Sequence, residues 1–326
     1  MLKIKSLCLQ SRVIQSPMSG CTDLPFRLIA RQKGLSFAFL EMLLADAIVA
    51  GSDRTFEMMK SAPEDRPLGA QLVGYTPESL GAAASILEDA GVDLVDLNLG
   101  CPVKKVICKG GGSAILKEPV LARAMFSGMV SAVKTIPVTV KMRLGYDDPS
   151  GAEAQRIAQI AEDCGVSAVT IHGRTRRQGY SGRADYEAIG RIKKAVRIPV
   201  IGNGDVIDGQ KARELLDVSG CDGIMIGRGG IGHPWIYREI GAAIDTCPAP
   251  LPPDFEEIKT TLIRHLELQI RYAPRQAHFL MRRIACGYFK NLPGASEFRN
   301  RINGTRDIEE IRDIIEHFEP IACGVG

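Results

Sequence analysis

Val92-Asp93-Leu94-Val95-Asp96-Leu97-Asn98-Leu99-Gly100-Cys101-Pro102 is the stretch on which the fold turns. A short, mostly apolar run bounded by turn residues reads as a strand buried on both faces, the kind a parallel sheet uses. Its exit is polar: an amide, then a thiol on a Gly-Pro turn. A cysteine that only fills core belongs inside such a run, whereas one at the exit faces a cavity. Position alone leaves two readings of Cys101 open, a reactive group and a small buried hydrophobe.

Seven further runs share this character: Val13-Ile14, Phe37 to Leu40, Ala70 to Val73, Val138 to Val140, Ala168 to Ile171, Pro199 to Ile201 and Gly223 to Ile226. Helix-like segments separate them, and eight strands alternating with helices are what a parallel (β/α)₈ TIM barrel requires, an α/β fold. Helix starts are marked at Asp23-Leu24-Pro25, Thr76-Pro77-Glu78, Glu118-Pro119 and Asp185, where a first-turn proline or a capping side chain costs nothing. Proline density rises sharply at 247–254, which predicts an extended connector. Beyond it Phe255–Ala273, Gln276–Asn291 and Asp307–Phe318 show helical spacing of apolar residues. The expected organisation is therefore a catalytic barrel over 1–246, a linker over 247–254 and a small all-helical domain over 255–326.

Composition excludes several classes. With 45% hydrophobic and 24% charged residues the 326-residue chain has ample core and no disordered character. No uncharged apolar run reaches membrane-spanning length, and the N-terminus meets Arg12 before any signal-like stretch develops. Nine scattered cysteines without a C-x-x-C pair argue against a disulfide framework and against a zinc or iron–sulfur site, and fit a reducing, cytoplasmic setting without a metal. A formal charge of +3 is too small to demand a polyanionic partner by itself. Nothing in the sequence demands a protein partner.

In a barrel the chemistry collects at the C-terminal ends of the strands. The predicted exits carry Ser16-Pro17-Met18-Ser19-Gly20, Gln71, Asn98 with Cys101, Lys141 with Arg143, His172 with Arg174, Asn203-Gly204-Asp205 and Gly227-Arg228-Gly229-Gly230. The last two are glycine-rich and come from the strands where barrels often bind phosphate through backbone N–H groups. Gly227–Gly232 also matches G-x-G-x-x-G. A Rossmann unit, however, would continue into another strand bearing an acidic residue, and here the chain enters the proline-rich connector. A phosphate cup, a cation at Lys141 and an amide at Gln71 suit flavin mononucleotide (FMN) better than a bare sugar phosphate.

Ser16-Pro17-Met18-Ser19-Gly20-Cys21-Thr22-Asp23 with Pro25-Phe26-Arg27 resembles the opening signature of the tRNA-dihydrouridine synthases. So do Asn98 to Pro102, Lys141-Met142-Arg143-Leu144-Gly145, His172-Gly173-Arg174-Thr175-Arg176 with Tyr180-Ser181-Gly182, and Ile201 to Asp205. The resemblance implies an FMN enzyme that reduces uridines of tRNA, its flavin recharged by NADPH or NADH. It implies hydride delivery to C6 of the uracil and a proton to C5 from Cys101. Hydride addition leaves an enolate-like ring that a positioned acid quenches, and a cysteine thiol is largely protonated near neutrality. Carried over residue by residue, Pro17, Met18 and Ser19 border the flavin, and Gln71 and Lys141 contact its ring. Asn203, Gly204, Asp205, Gly227 and Arg228 hold the ribityl phosphate end with His172 close by. Asn98 shapes the pocket beside Cys101 or caps the following turn.

Basic residues surround the same mouth: Lys104, Lys105 and Lys109 after Cys101, and Arg174 and Arg176 after the sixth predicted strand. Between Arg264 and Arg306 nine basic residues, Arg282, Arg283 and Arg299 among them, face only Glu267 and Glu297. Such a stretch suits phosphodiester contacts, and a base inside folded tRNA must leave its stack to reach a barrel mouth. The interleaved aromatics are read as core. Met281-Arg282-Arg283, Tyr288, Phe298-Arg299 and Ile302-Asn303 resemble the bacterial B-type branch, which tends to have His and Trp where this chain has Ile284 and Gly287. Two other readings compete: a dihydroorotate or dihydropyrimidine dehydrogenase-like FMN enzyme acting on a free pyrimidine, and a non-catalytic RNA-binding factor. The basic tail weighs against the first, Cys101 and Lys141 against the second.

Overall fold

Alternate residues of each strand meet two different environments, and this builds the barrel. The computed structural model describes residues 1–320; residues 321–326, with Cys323 and the end of the expected 255–326 domain, lie outside the described residues. Its strands are β1 (Leu2–Ile4), β2 (Leu7–Leu9), β3 (Val13–Gln15), β4 (Ala38–Phe39), β5 (Leu43–Leu44), β6 (Leu68–Val73), β7 (Leu94–Leu99), β8 (Val138–Arg143), β9 (Ala168–His172), β10 (Val200–Asn203) and β11 (Gly223–Ile226). From β3 onward they form one parallel sheet in the order β3-β11-β10-β9-β8-β7-β6-β4, with β5 also paired to β6. Gln15 N donates to Phe37 O at 3.1 Å and Phe39 N to Gln15 Oε1 at 2.8 Å, which joins the first strand to the last. The result is the expected (β/α)₈ barrel.

Val95, Leu97 and Leu99 of β7 and Val138, Val140 and Met142 of β8 belong to the apolar layer under the surrounding helices. Period-2 alternation therefore turns Leu94, Asp96 and Asn98, and Thr139, Lys141 and Arg143, toward the barrel interior. The cap chemistry is local. Asp23 accepts from Phe26 N (3.1 Å) and starts helix Leu24–Gln32; Thr76 and Asp185 likewise cap Pro77–Asp89 and Tyr186–Ala195.

Three features differ from the sequence reading. The second strand, expected over Phe37 to Leu40, is two short pieces, β4 and β5, that share β6 as partner. Before the first barrel strand lies the antiparallel hairpin β1–β2, whose Leu2, Ile4 and Leu9 pack with Ile14, Phe37, Leu94 and Ile201 against the N-terminal end of the barrel interior. The helical region has four helices rather than three: Phe255–Tyr272, Ala277–Tyr288, Ala295–Gly304 and Ile308–Glu316.

These four helices bury a second core in which Phe289 stacks on Phe318 (4.5 Å) and meets Phe298 edge-on (4.7 Å). Trp235, from the barrel side, is buried in that core and donates to Glu257 Oε1 at 2.6 Å. Replacing such a buried Trp by Ala costs about 3–5 kcal/mol. Further links tie the regions: Lys33 pairs with Glu257 (2.8 Å), Gln269 donates to the Asp23 carboxylate, and Arg283 donates to Gly20 O (3.2 Å). Gly232, at φ +70°, approaches Gly287 so closely that a Cβ on Gly287 would lie 2.7 Å from Ile231 O. Glycine at 287 lets the helix rest directly on the β11 loop.

Candidate active site at the strand ends

One cavity of about 950 Å³ opens at the C-terminal ends of the strands and extends to the helical region. Pro17, Met18, Ser19, Gln71, Asn98, Cys101, Lys141, His172, Asn203, Gly204, Asp205, Gly227, Arg228 and Arg283 all line it. They come from seven different strand exits and one C-terminal helix, so only the closed barrel brings them together.

Cys101 is held from three sides. Asn98 Oδ1 accepts from Gly100 N (2.9 Å) and Cys101 N (2.8 Å), so this side chain both caps the turn and lines the pocket. Arg143 Nε donates to Gly100 O (2.9 Å), while Ser113 N and Oγ donate to Cys101 O at 3.2 and 3.0 Å. Behind Asn98 a hydrogen-bonded chain crosses three strands. Asn98 Nδ2 donates to Gln71 Oε1 (2.7 Å), Gln71 Nε2 to Asp96 Oδ2 (2.7 Å), and Thr139 Oγ1 to Asp96 Oδ1 (2.7 Å). Strand register makes this possible, because Asp96 sits opposite both Gln71 and Thr139. Burial pushes the Asp96 carboxyl up to about 6 despite those two donors. Both amide atoms of Gln71 are engaged, which leaves one N–H for a ligand.

On the opposite wall Lys141 Nζ donates to Asn203 Oδ1 (3.0 Å), and Asn203 Nδ2 donates to Met225 O (2.8 Å). Burial and the neighbouring Arg143 lower the Lys141 ammonium to about 8. Burial, then Lys141, Arg143, Arg174 and Arg228, hold His172 far below the ordinary histidine range, so its ring is neutral at physiological pH. Four cations around one neutral imidazole leave the site short of negative charge. An anion fits there, and a buried, unpartnered nitrogen of Arg174 adds a free donor.

The fit to a flavin phosphate is supported at the glycine exits: a Cβ on Gly227 would point between Met18 Sδ (3.8 Å) and Ser16 (3.9 Å), into space that glycine leaves open. Among the described residues no cluster of three or more His, Cys, Asp or Glu could hold a metal, and no helix is long and apolar enough to cross a membrane.

The remaining basic residues lie outside the cavity wall. Lys104 and Lys105 are exposed on the short helix Lys104–Ile107 just after Cys101, and Lys109 rests over the Tyr75 ring at 5.4 Å. Arg176 covers Tyr146 (4.8 Å), Arg299 is exposed, and Arg282 donates to Asn303 O (2.6 Å). Arg174 differs from a surface contact: it is 2% exposed and donates to Asp205 Oδ2 (2.7 Å), Ser181 O and Gly182 O. It ties the β9 loop to the β10 loop, and its guanidinium sits behind the surface that RNA could touch. Asp205 in turn is committed to Arg174 and Ala184 N (2.8 Å).

Sequence reasoning missed Asp96, Thr139 and Tyr180 as site residues. Tyr180 is 60% exposed at the mouth, with the Arg228 guanidinium 3.9 Å from its ring centre and Arg143 at 5.8 Å. Its signal was present, since it follows the His172–Arg176 motif by four residues, but only the folded loop turns its ring over the cavity.

The family model for dihydrouridine synthase (Dus) matches residues 14–320. A probable tRNA-dihydrouridine synthase of Rickettsia bellii is 39% identical over 320 residues, covering 98% of this chain and 98% of that protein. tRNA-dihydrouridine synthase B of Escherichia coli strain K12 is 38% identical over 323 residues, 98% of this chain and 100% of that protein. Among solved structures, histamine dehydrogenase from Rhizobium sp. 4-9 superposes with a TM-score of 0.57 at 15% identity, covering 82% of this chain and 50% of that longer protein, a likeness of fold alone. The match of model and full-length relatives to a chain with this barrel and this thiol-bearing cavity places it in the dihydrouridine synthase family, alongside B-type members.

Proposed function

We propose that this enzyme reduces selected uridines of tRNA to 5,6-dihydrouridine, with FMN as its bound cofactor and Cys101 as the proton donor. The observation that carries the reading is the meeting, in one cavity, of a thiol on a braced turn with a surplus of cations around neutral His172. When bound, FMN reduced by NADPH or NADH supplies the hydride that adds to C6 of the uracil. Cys101 S–H gives its proton to C5, the C–H bond forms as S–H breaks, and the thiolate regains a proton from solvent. Arg143, bonded to Gly100 O at 2.9 Å, offsets the thiolate charge in the interval. Lys141, His172 and the free N–H of Gln71 face the position where charge develops on the rings.

Gly204, Asp205, Gly227 and Arg228 border the phosphate end, with Pro17, Met18 and Ser19 along the β3 exit. Asn98 holds the Cys101 turn, and Arg174 positions the β9 loop. Lys104, Lys105, Lys109, Arg176, Arg282, Arg283 and Arg299 offer phosphodiester contacts around the mouth. The same basic rim disfavours a free pyrimidine as substrate. The scatter of cysteines supports a cytoplasmic location, where tRNA would be met.

The test is direct. Purified protein, FMN, NADPH and an unmodified tRNA transcript are incubated, and dihydrouridine is mapped by mass spectrometry. Dihydrouridine at a defined position supports the reading. Reduction of free uracil or orotate with tRNA untouched would replace it with the free-pyrimidine alternative.

A further inference from the structure

The aromatic residues of the helical region are core with one exception. Phe289 and Phe298 are buried and Tyr288 nearly so, whereas Phe279 is 60% exposed. Its helix, Ala277–Tyr288, already has a complete buried face in Ala277, Leu280, Met281, Ile284 and Ala285, so packing gives no reason for a phenyl ring on the other side. On that other side Phe279 has Arg282 and Arg283 at i+3 and i+4, the spacing at which helical side chains are neighbours. Arg283 lines the catalytic cavity and donates to Gly20 O at 3.2 Å. Phe279 thus stands one helical turn, about 6 Å along the axis, from the cavity rim.

An exposed ring between guanidinium groups at a barrel mouth is the arrangement that holds an unpaired base: the ring stacks on its face, the cations take its phosphates. A protein partner would meet a phenyl ring surrounded by Arg282, Arg283 and exposed Arg275, without a contiguous apolar patch. We propose that Phe279 is a stacking platform for a nucleotide flanking the uridine that enters the cavity. This deepens the proposed function and rests on it. Extrusion of one base unstacks its neighbour, and Phe279 offers that neighbour a replacement surface, so it would contribute to which sequence context is accepted.

The experiment uses the full-length holoenzyme with a tRNA transcript. Phe279→Ala and Phe279→Leu are each expected to weaken tRNA affinity about tenfold, and to raise KM with kcat at saturation unchanged. The slope of log affinity against log salt should stay at the wild-type value, because no phosphate contact is lost. Phe279→Trp should keep affinity, and the introduced indole should be quenched on binding. FMN content is the control for folding in every variant. Wild-type tRNA affinity in Phe279→Ala, full retention in Phe279→Leu, or a loss that Phe279→Trp does not recover would overturn the platform. So would self-association abolished by Phe279→Ala, which would mark the ring as a contact between copies. If wild-type protein itself binds no tRNA, the proposed function fails first and the platform with it.

Discussion

Asn98→Ala probes the bracing of the thiol most searchingly, because one side chain serves both the Cys101 turn and the interior hydrogen-bond chain. The substitution removes the acceptor of Gly100 N and Cys101 N, at 2.9 and 2.8 Å. Each such bond is worth about 0.5–1.5 kcal/mol net. It also strips the donor from Gln71 Oε1, in a residue only 1% exposed, and an orphaned buried acceptor costs about 1–3 kcal/mol. Asn98 is half-buried, so cavity water recovers part of the loss at the backbone. The expected destabilisation is about 2–4 kcal/mol by urea unfolding. Turnover should fall further than stability alone explains, roughly 100-fold, since a turn displaced by about 1 Å misaims the sulfur.

Asn98→Asp separates the two roles. It keeps an acceptor for both backbone N–H groups but sets a carboxylate beside Asp96, whose carboxyl is already raised to about 6. It should recover turnover relative to the alanine variant, and it should be better tolerated at pH 5 than at pH 8, because two buried carboxylates share the site only when one is protonated. Wild-type stability and turnover in Asn98→Ala, or an aspartate variant no better than alanine, would refute the bracing.

Lys141, lowered to about 8 in the ligand-free protein, should make FMN affinity decline as pH rises through that value, by fluorescence titration, and Lys141→Met should flatten the profile. The sign follows from linkage: between about 8 and the unfolded lysine value the unfolded chain binds the extra proton, so ligand-free stability rises across that window while affinity for an anion falls. Arg27 and Asp65 form a buried ion pair at 2.9 Å, 1% and 0% exposed, with Arg31 at 3.5 Å from the second carboxylate oxygen. Asp65→Ala should cost about 3–5 kcal/mol in urea unfolding, most of it recovered when Arg27→Met is added. Gly287→Ala, whose Cβ would meet Ile231 O at 2.7 Å, should cost about 1–3 kcal/mol and loosen the helical region while FMN binding persists.

What the sequence disclosed follows from physics that acts locally. Parallel strands buried on both sides read as apolar runs, and their polar exits marked the mouth, so Cys101, Lys141, His172 and Asn203 were legible together. Asp96 was not, because its role depends on β6–β7–β8 register, a long-range property. The hairpin β1–β2 was legible in principle: Leu2 and Ile4 alternate with Lys3 and Lys5, a period-2 pattern too short to stand out. Helix Ala295–Gly304 carries Asn and Gly and only Phe298 and Ile302 as buried anchors, so tertiary packing rather than propensity forms it. Arg174 looked like a surface cation by composition; only the folded loops reveal that its charge is spent on Asp205. Phe279 looked like core because helical spacing does not say which face the core lies on.

Proton donation by Cys101 is tested most directly by single-turnover reduction of tRNA in D₂O by FMN-reduced Cys101→Ala protein beside wild type. We expect wild type to yield dihydrouridine carrying deuterium at C5, and Cys101→Ala to bind FMN and tRNA normally while its product forms at least about 100-fold more slowly. Dihydrouridine formed by the alanine variant at the wild-type rate would contradict the account.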